Sequence, residues 1–300
     1  MKKITLILFL IFSNGFAQTI IKGLILDNNN QPLPTANIAF VKNYGGTNSN
    51  LSGFYSIDIF TRQNDSLKIS YTGFKPKYIA LRSFTEKKEY QLNINLEIDE
   101  TIIEEVVIDK KQTKYTQKEK INIKKKGDIR TFAMVGCEFA LRVKNAKQEK
   151  GRIKEIQISF RRNPKANTLT KYRVKIYELD TITSGPGKNL IKEDILISPK
   201  NKTYLYNLNV EDKKIPFPKF GVFVGVELID PDNSLKKGDI VGPGLKYTAG
   251  SNELLTWENY RGKKWYKSRT TKLVPNPTNI ILNLTVLYKK SNEENNNLDN

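Results

Sequence analysis

Turn-forming residues interrupt this 300-residue chain every ten residues or so, and that spacing constrains its fold more than any other feature. Gly, Pro, Asn and Thr recur between short runs of β-branched and aromatic residues. No long stretch repeats with the period of an amphipathic helix. Short strands bounded by turn residues predict an all-β protein. The length accommodates about two domains, and 38% hydrophobic residues are enough to build their cores. The mean hydropathy of −0.50 predicts a very polar surface.

The first seventeen residues stand apart. Lys2 and Lys3 precede an apolar run over residues 4–12, and Gly15-Phe16-Ala17 offers a small-x-small cleavage site. This three-part pattern predicts a secretory signal peptide over residues 1–17, and so a periplasmic, envelope or outer-surface location. No Cys follows the site, so a lipid anchor is not expected there. No later run is long and apolar enough to span a bilayer.

Composition removes several chemistries. The chain has no His, which excludes Ser-His-Asp and Cys-His catalysis and His-ligated zinc within this polypeptide. Cys137 is the only Cys, so no intrachain disulfide forms, and its apolar neighbours predict a buried thiol. The net charge is +19. It is spread along the chain without a nucleic-acid-binding motif, so no nucleic-acid partner is expected. A solvated surface, or contact with an anionic envelope surface, accounts for it.

Residues 18–108 read as about seven short strands around turns such as Asp27-Asn28-Asn29-Asn30-Gln31-Pro32, a composition that suits tight turns. Gly23 and Asp27, Pro32-Leu33-Pro34, Ala36-Asn37-Ile38, Thr47, Ser52-Gly53-Phe54-Tyr55 and Tyr71-Thr72-Gly73-Phe74 together resemble the carboxypeptidase-regulatory-like (transthyretin-like) domain of Bacteroidota envelope proteins. Pro34-Thr35 stands where that family usually has Gly, and Asn48 where it has Asp. The resemblance implies a seven-strand sandwich over residues 20–97 and no peptidase activity.

The run 102–108 looks like a last edge strand. It is also similar to the segment that follows this module in TonB-dependent receptors, although no receptor barrel fits in the remainder. Ile102, Ile103, Val106 and Val107 are therefore candidates for docking to an outer-membrane protein by strand addition. Residues 109–128 are rich in Lys and predict a solvated basic linker.

The strand rhythm resumes over residues 129–290. Ten runs, among them 138–143, 152–160, 171–178, 221–228 and 279–288, predict a jelly-roll-like β-sandwich. Residues 151–227 resemble C-terminal domains of uncharacterised exported Bacteroidota proteins, which implies no mechanism. The Asn- and Glu-rich tail 291–300 predicts disorder.

Three local features invite a functional reading. Residues 184–188 lack the spacing of a phosphate loop and read as a hairpin. Asp230, Asp232 and Asp239 lack calcium-loop spacing and read as turns. The richest cluster is Tyr247, Trp257, Asn259, Tyr260, Arg261, Trp265 and Tyr266, where aromatic faces lie beside amide and charged groups. Such groups stack on and orient a ligand, or else fill a core. The reading this supports is a non-enzymatic exported envelope protein, an adaptor for a glycan or protein partner, with no cofactor and no metal. Two alternatives are a glycan hydrolase using carboxylates such as Glu253, Glu258, Asp230 and Asp239, and an accessory subunit of a TonB-dependent transport complex.

Overall fold

The computed structural model describes residues 19–85, 89–100, 115–122, 134–232, 234–236, 238–248, 251–268 and 278–289. The predicted leader, the tail, and Ile102, Ile103, Val106 and Val107 lie outside the described residues. Within them the protein is all-β, with two short 3-10 turns and no helix long and apolar enough to cross a membrane.

The first module holds β1 (Ile20–Leu26), β2 (Asn37–Phe40), β3 (Gly46–Asn48), β4 (Phe54–Asp58), β5 (Ser66–Ser70), β6 (Lys77–Ala80), β7 (Glu89–Gln91) and β8 (Ile94–Asn95). One sheet runs β4-β1-β7, with β8 also paired to β1, and the other runs β3-β2-β5-β6. Alternation builds the core: Ile21, Ile25, Tyr55, Ile57, Ile38, Leu67 and Ile69 point between the sheets. The expected seven strands become eight: Gly46–Asn48 adds β3, residues 71–74 form a turn, and the run over 91–96 becomes β7 and β8, both parallel to β1.

The second module comprises β9 (Tyr115–Asn122), β10 (Cys137–Val143), β11 (Gly151–Arg161), β12 (Thr168–Leu169), β13 (Lys171–Leu179), β14 (Pro186–Asn189), β15 (Ile195–Ile197), β16 (Tyr204–Asn209), β17 (Pro216–Phe217), β18 (Val222–Ile229), β19 (Val241–Gly242), β20 (Gly244–Leu245), β21 (Thr256–Tyr260), β22 (Tyr266–Lys267) and β23 (Leu282–Lys289). Its two main sheets run β14-β13-β18-β10-β21-β22 and β16-β11-β23-β9. Ile156, Ile158 and Phe160 from one sheet meet Val174, Ile176, Val224 and Val226 from the other in a single core.

The predicted basic linker 109–128 needs correction. Residues 115–122 form β9, which pairs antiparallel with β23 at the edge of its sheet. Ile121 packs on the core, while Lys118 and Lys120 stay exposed. A two-residue alternation lies beneath the run of Lys, and Lys is well tolerated on an edge strand, where it discourages further pairing. Tyr115 lies beneath the Arg152 guanidinium, 4.3 Å from the ring centroid, which ties the strand's first residue to β11.

Phe160 is fully buried, with its ring 5.3 Å from Tyr172 and 6.1 Å from both Tyr204 and Tyr206. Phe160→Ala is expected to cost about 3–5 kcal/mol of stability, measured as a lower urea midpoint. Leu169→Ala, at a position 61% exposed, is expected to change stability by less than about 0.5 kcal/mol.

Candidate functional site: a buried charge ladder between the modules

In β10, β13 and β18, apolar residues alternate with residues of another kind. Tyr172, Val174 and Ile176 enter the sandwich core, so Arg173, Lys175 and Tyr177 point out of the opposite face. The same parity sends Glu138 and Glu227 outward. Strand register then aligns Arg173, Glu227, Glu138 and Asn259 as one row across four strands. This face does not meet water. The outer face of β2 and β5 covers it, and Arg173, Glu227 and Glu138 are each at most 2% exposed.

The ladder is closed by ion pairs. Glu227 Oε2 lies 3.2 Å from Arg173 Nη1 and 2.9 Å from Lys175 Nζ. Lys175 Nζ also reaches Glu138 Oε2 at 3.1 Å, and Tyr177 donates its hydroxyl to Glu138 Oε1 at 2.7 Å. That last bond passes over Gly225, where a Cβ would stand 2.4 Å from Glu138 Oε1. Arg173 Nε lies 3.0 Å from Asp194 Oδ2, an ionic contact without hydrogen-bond alignment. Arg173 Nη2 donates to the Thr35 carbonyl of the first module, and Thr35 Oγ1 donates to Asp194 Oδ2 at 3.0 Å.

The two glutamates respond oppositely to this setting. Burial pushes the Glu138 carboxyl up, and the nearby Glu227 charge adds to that rise, with Lys175 opposing it. Burial acts on Glu227 in the same upward sense, but Lys175 and Arg173 outweigh it and hold that carboxyl below its usual range. Glu227 is thus the anion that anchors both cations.

The hairpin from β21 to β22 supplies a second clasp. Arg261 Nη1 donates to Asn37 Oδ1 at 3.1 Å, the Thr47 carbonyl at 2.9 Å and Asn48 Oδ1 at 3.1 Å, all in the first module. Its side chain threads between two glycines. A Cβ on Gly136 would stand 2.5 Å from Arg261 Cγ, and one on Gly46 would stand 2.9 Å from its Cδ. Lys68 Nζ donates to the Gly262 carbonyl at 2.7 Å, and Lys263 Nζ donates to the Asn43 carbonyl at 2.5 Å.

The predicted aromatic cluster is therefore divided. Tyr247 is buried in the sandwich core, edge-on to Phe139 with centroids 5.7 Å apart. Its neighbourhood reads as polar in sequence, but the parity of the strands turns the ring inward. Asn259 and Arg261 are buried at the module seam rather than offered to a ligand. Trp257 and Trp265 pack with Tyr177, Phe223 and Ala140 into a small cluster on the outer sheet face, and Gly185 lies against the Trp257 ring. Tyr260 is half-buried beside Tyr44 of the first module, and Tyr266 stays exposed.

The other candidates have local partners. Glu253 pairs with Lys144 at 2.8 Å on the surface, and Glu258 accepts from the Ser268 hydroxyl. Asp230 accepts from the Ser234 and Leu235 amides, and Asp239 from the Lys236 amide, as turn residues do. Among the described residues no group of His, Cys, Asp and Glu could hold a metal ion. Burial, with the charge of Glu258 adding to it, pushes the Cys137 thiol up to about 11. A thiol of that kind stays protonated at neutral pH and is a poor nucleophile.

The comparisons with known proteins bear on the first module. Residues 21–108 match the family model of the CarboxypepD_reg-like domain, so this unit is a carboxypeptidase-regulatory-like domain. No curated protein matches the chain. Among solved structures the chain is similar to BcpA, the major pilin subunit of Bacillus cereus, at 8% identity and a TM-score of 0.21, covering 88% of this chain and 69% of that one. A variant of the same pilin gives 6% identity and a TM-score of 0.22 over 88% and 68% of the two chains. Scores of this size carry no weight for fold or function.

Breaking a buried pair from one side typically costs about 3–5 kcal/mol, so Glu227→Gln is expected to destabilise the protein by that amount at pH 7. Glu138→Gln keeps an acceptor for Tyr177 and leaves Lys175 paired with Glu227. The raised carboxyl of Glu138 burdens the fold above its folded pKa, and that burden disappears below the unfolded value of about 4.3. Glu138→Gln is therefore expected to equal or exceed the wild type in urea melts at pH 8, with the difference shrinking toward pH 4. The depressed carboxyl of Glu227 works the other way: its contribution is complete above about pH 4.3 and is lost as the pH falls through its lower folded value. Arg261→Lys is expected to rescue Arg261→Ala only in part, because all three acceptors converge on Nη1 at the tip of a planar side chain that a lysine ammonium on a flexible stem does not reproduce. A melting temperature for Arg261→Lys between those of the wild type and Arg261→Ala would show this.

Proposed function

We propose that the chain is a non-enzymatic, exported cell-envelope protein that serves as a rigid two-module adaptor for a glycan or protein partner. One observation carries this reading. Glu138, Arg173 and Glu227 are buried between the modules with Lys175 mostly buried beside them, and each of these charged groups directs its charge at another member of the set. Strongly shifted groups mark either catalysis or structural ion-pair networks. These pair with one another, and Arg173 carries the set across to Thr35 of the first module. The carboxylates suggested for hydrolysis, exposed Glu253 and half-buried Glu258, have separate partners, Lys144 for the first and the Ser268 hydroxyl for the second.

Other features support the reading. A leader of signal-peptide pattern supports export to the envelope, and the net charge of +19 is consistent with anionic surfaces there. The clamp fixes the relative position of the loops of both modules, so a partner meets one preformed surface.

Immobilised full-length protein incubated with envelope extract is expected to retain a specific glycan or protein and to leave envelope polysaccharide uncleaved. Turnover that disappears in Glu258→Gln would overturn the proposal.

A further inference from the structure

We infer that the seam between the modules carries a binding site for an acidic polysaccharide, built jointly from Tyr44 of the first module and Tyr260 and Lys263 of the second. The inference rests on the adaptor reading and gives its partner a chemistry.

Tyr44 is the most exposed aromatic residue of the seam, at 76%. Such a ring is normally free to reorient, yet this one is held on two sides. Its centroid lies 5.3 Å from that of Tyr260 at an interplanar angle of 54°, and the Lys263 ammonium sits 5.0 Å from it. The loop that carries it is tied down from below. Buried Asp65 accepts hydrogen bonds from the Lys42 amide at 2.9 Å, the Asn43 amide at 3.0 Å, the Asn43 side chain at 2.8 Å and the Ser66 amide at 2.7 Å. Lys263 is anchored to the Asn43 carbonyl of that same loop. A ligand therefore meets rings whose ordering is already complete.

The chemistry selects the ligand. Tyrosine faces attract the electron-poor C–H faces of a sugar ring, and their hydroxyls suit a hydrated ligand. Lys263 supplies a positive charge beside them. The carboxylate that acts on it, Asp65, is buried and has its oxygens engaged by its own loop, so it forms no direct ion pair with the half-exposed ammonium. Exposed Lys264 and Tyr266 extend the same hairpin. Two rings and an ammonium make a contact far smaller than the roughly 800 Å² per partner of a stable protein interface, which favours a carbohydrate over a folded protein. Neither module holds the site alone. Tyr44 meets Tyr260 only because Arg261 and the charge ladder fix the modules together.

Affinity electrophoresis and calorimetry of the full-length protein test this, with polygalacturonate as the acidic probe and dextran as the neutral one. Polygalacturonate is expected to bind in a salt-sensitive way and dextran not to bind. Tyr44→Ala, Tyr260→Ala and Lys263→Gln are each expected to weaken binding about tenfold. Tyr260→Phe, which keeps the ring, and Lys75→Gln, whose side chain is directed to Glu97, are expected to bind like the wild type. Far-UV circular dichroism confirms the folding of each variant. The inference is overturned if Tyr44→Ala and Tyr260→Ala bind normally, if dextran binds equally well, or if Lys75→Gln weakens binding as much as Lys263→Gln does. Tyr44-dependent capture of a protein from envelope extract, without polygalacturonate binding, also overturns it and leaves the adaptor reading standing. Failure to retain anything from the extract removes both.

Discussion

The contact between Glu227 and its two cations is the interaction on which the rest of the structure depends. One carboxylate holds both Arg173 and Lys175 at hydrogen-bonding distance inside an interface closed to water. Isolated charges in such a place cost several kcal/mol each, so they persist only when each finds a partner of opposite sign. Here the pairing is completed across the module boundary, through Thr35 and the Asp194 that it caps. Exposing this face without the first module would leave a sheet surface of charges set by strand register and no longer matched by their cover. The two modules are distinct in sequence and continuous in physics.

Buried ion pairs are poor sources of net stability but good sources of alignment. A hydrophobic seam would tolerate sliding by a residue in either direction. A seam in which Arg173 reaches Thr35 and Arg261 reaches Asn37, Thr47 and Asn48 would not, because a shift by one residue breaks several contacts at once. The β21–β22 hairpin adds the same kind of specificity through Arg261. Its side chain fits between Gly46 and Gly136, where any larger residue would collide with it.

Much of the fold was legible in the sequence, because alternation is a local signal. Strands over 138–143, 152–160 and 171–178 stand close to β10, β11 and β13, and the carboxypeptidase-regulatory-like module is readable from its turns. β9 was hidden by its own lysines, which look like a solvated spacer until register with β23 is known. β21 was hidden inside the aromatic cluster, whose members read as one patch although adjacent strand residues face opposite ways. Tyr247 bridges Ile280 and turns into the core, whereas Tyr260 ends β21 at the seam. The charge ladder was not legible at all. Arg173 and Lys175 alternate with core residues just as solvent-facing cations do, and only long-range pairing shows that Glu138 and Glu227 meet them. Asn37 and Asn48 offered no hint of a guanidinium more than two hundred positions away.

The passage of Arg261 between two glycines also bears on how freely this module can be exchanged. A domain of this family is portable when its outer sheet face is generic. Here that face has been fitted to one neighbour: Gly46 leaves space, Asn37 and Asn48 present oxygens, and Thr35 turns a carbonyl toward Arg173. A homologous module transplanted into this chain would fold and yet fail to seat unless those positions travelled with it.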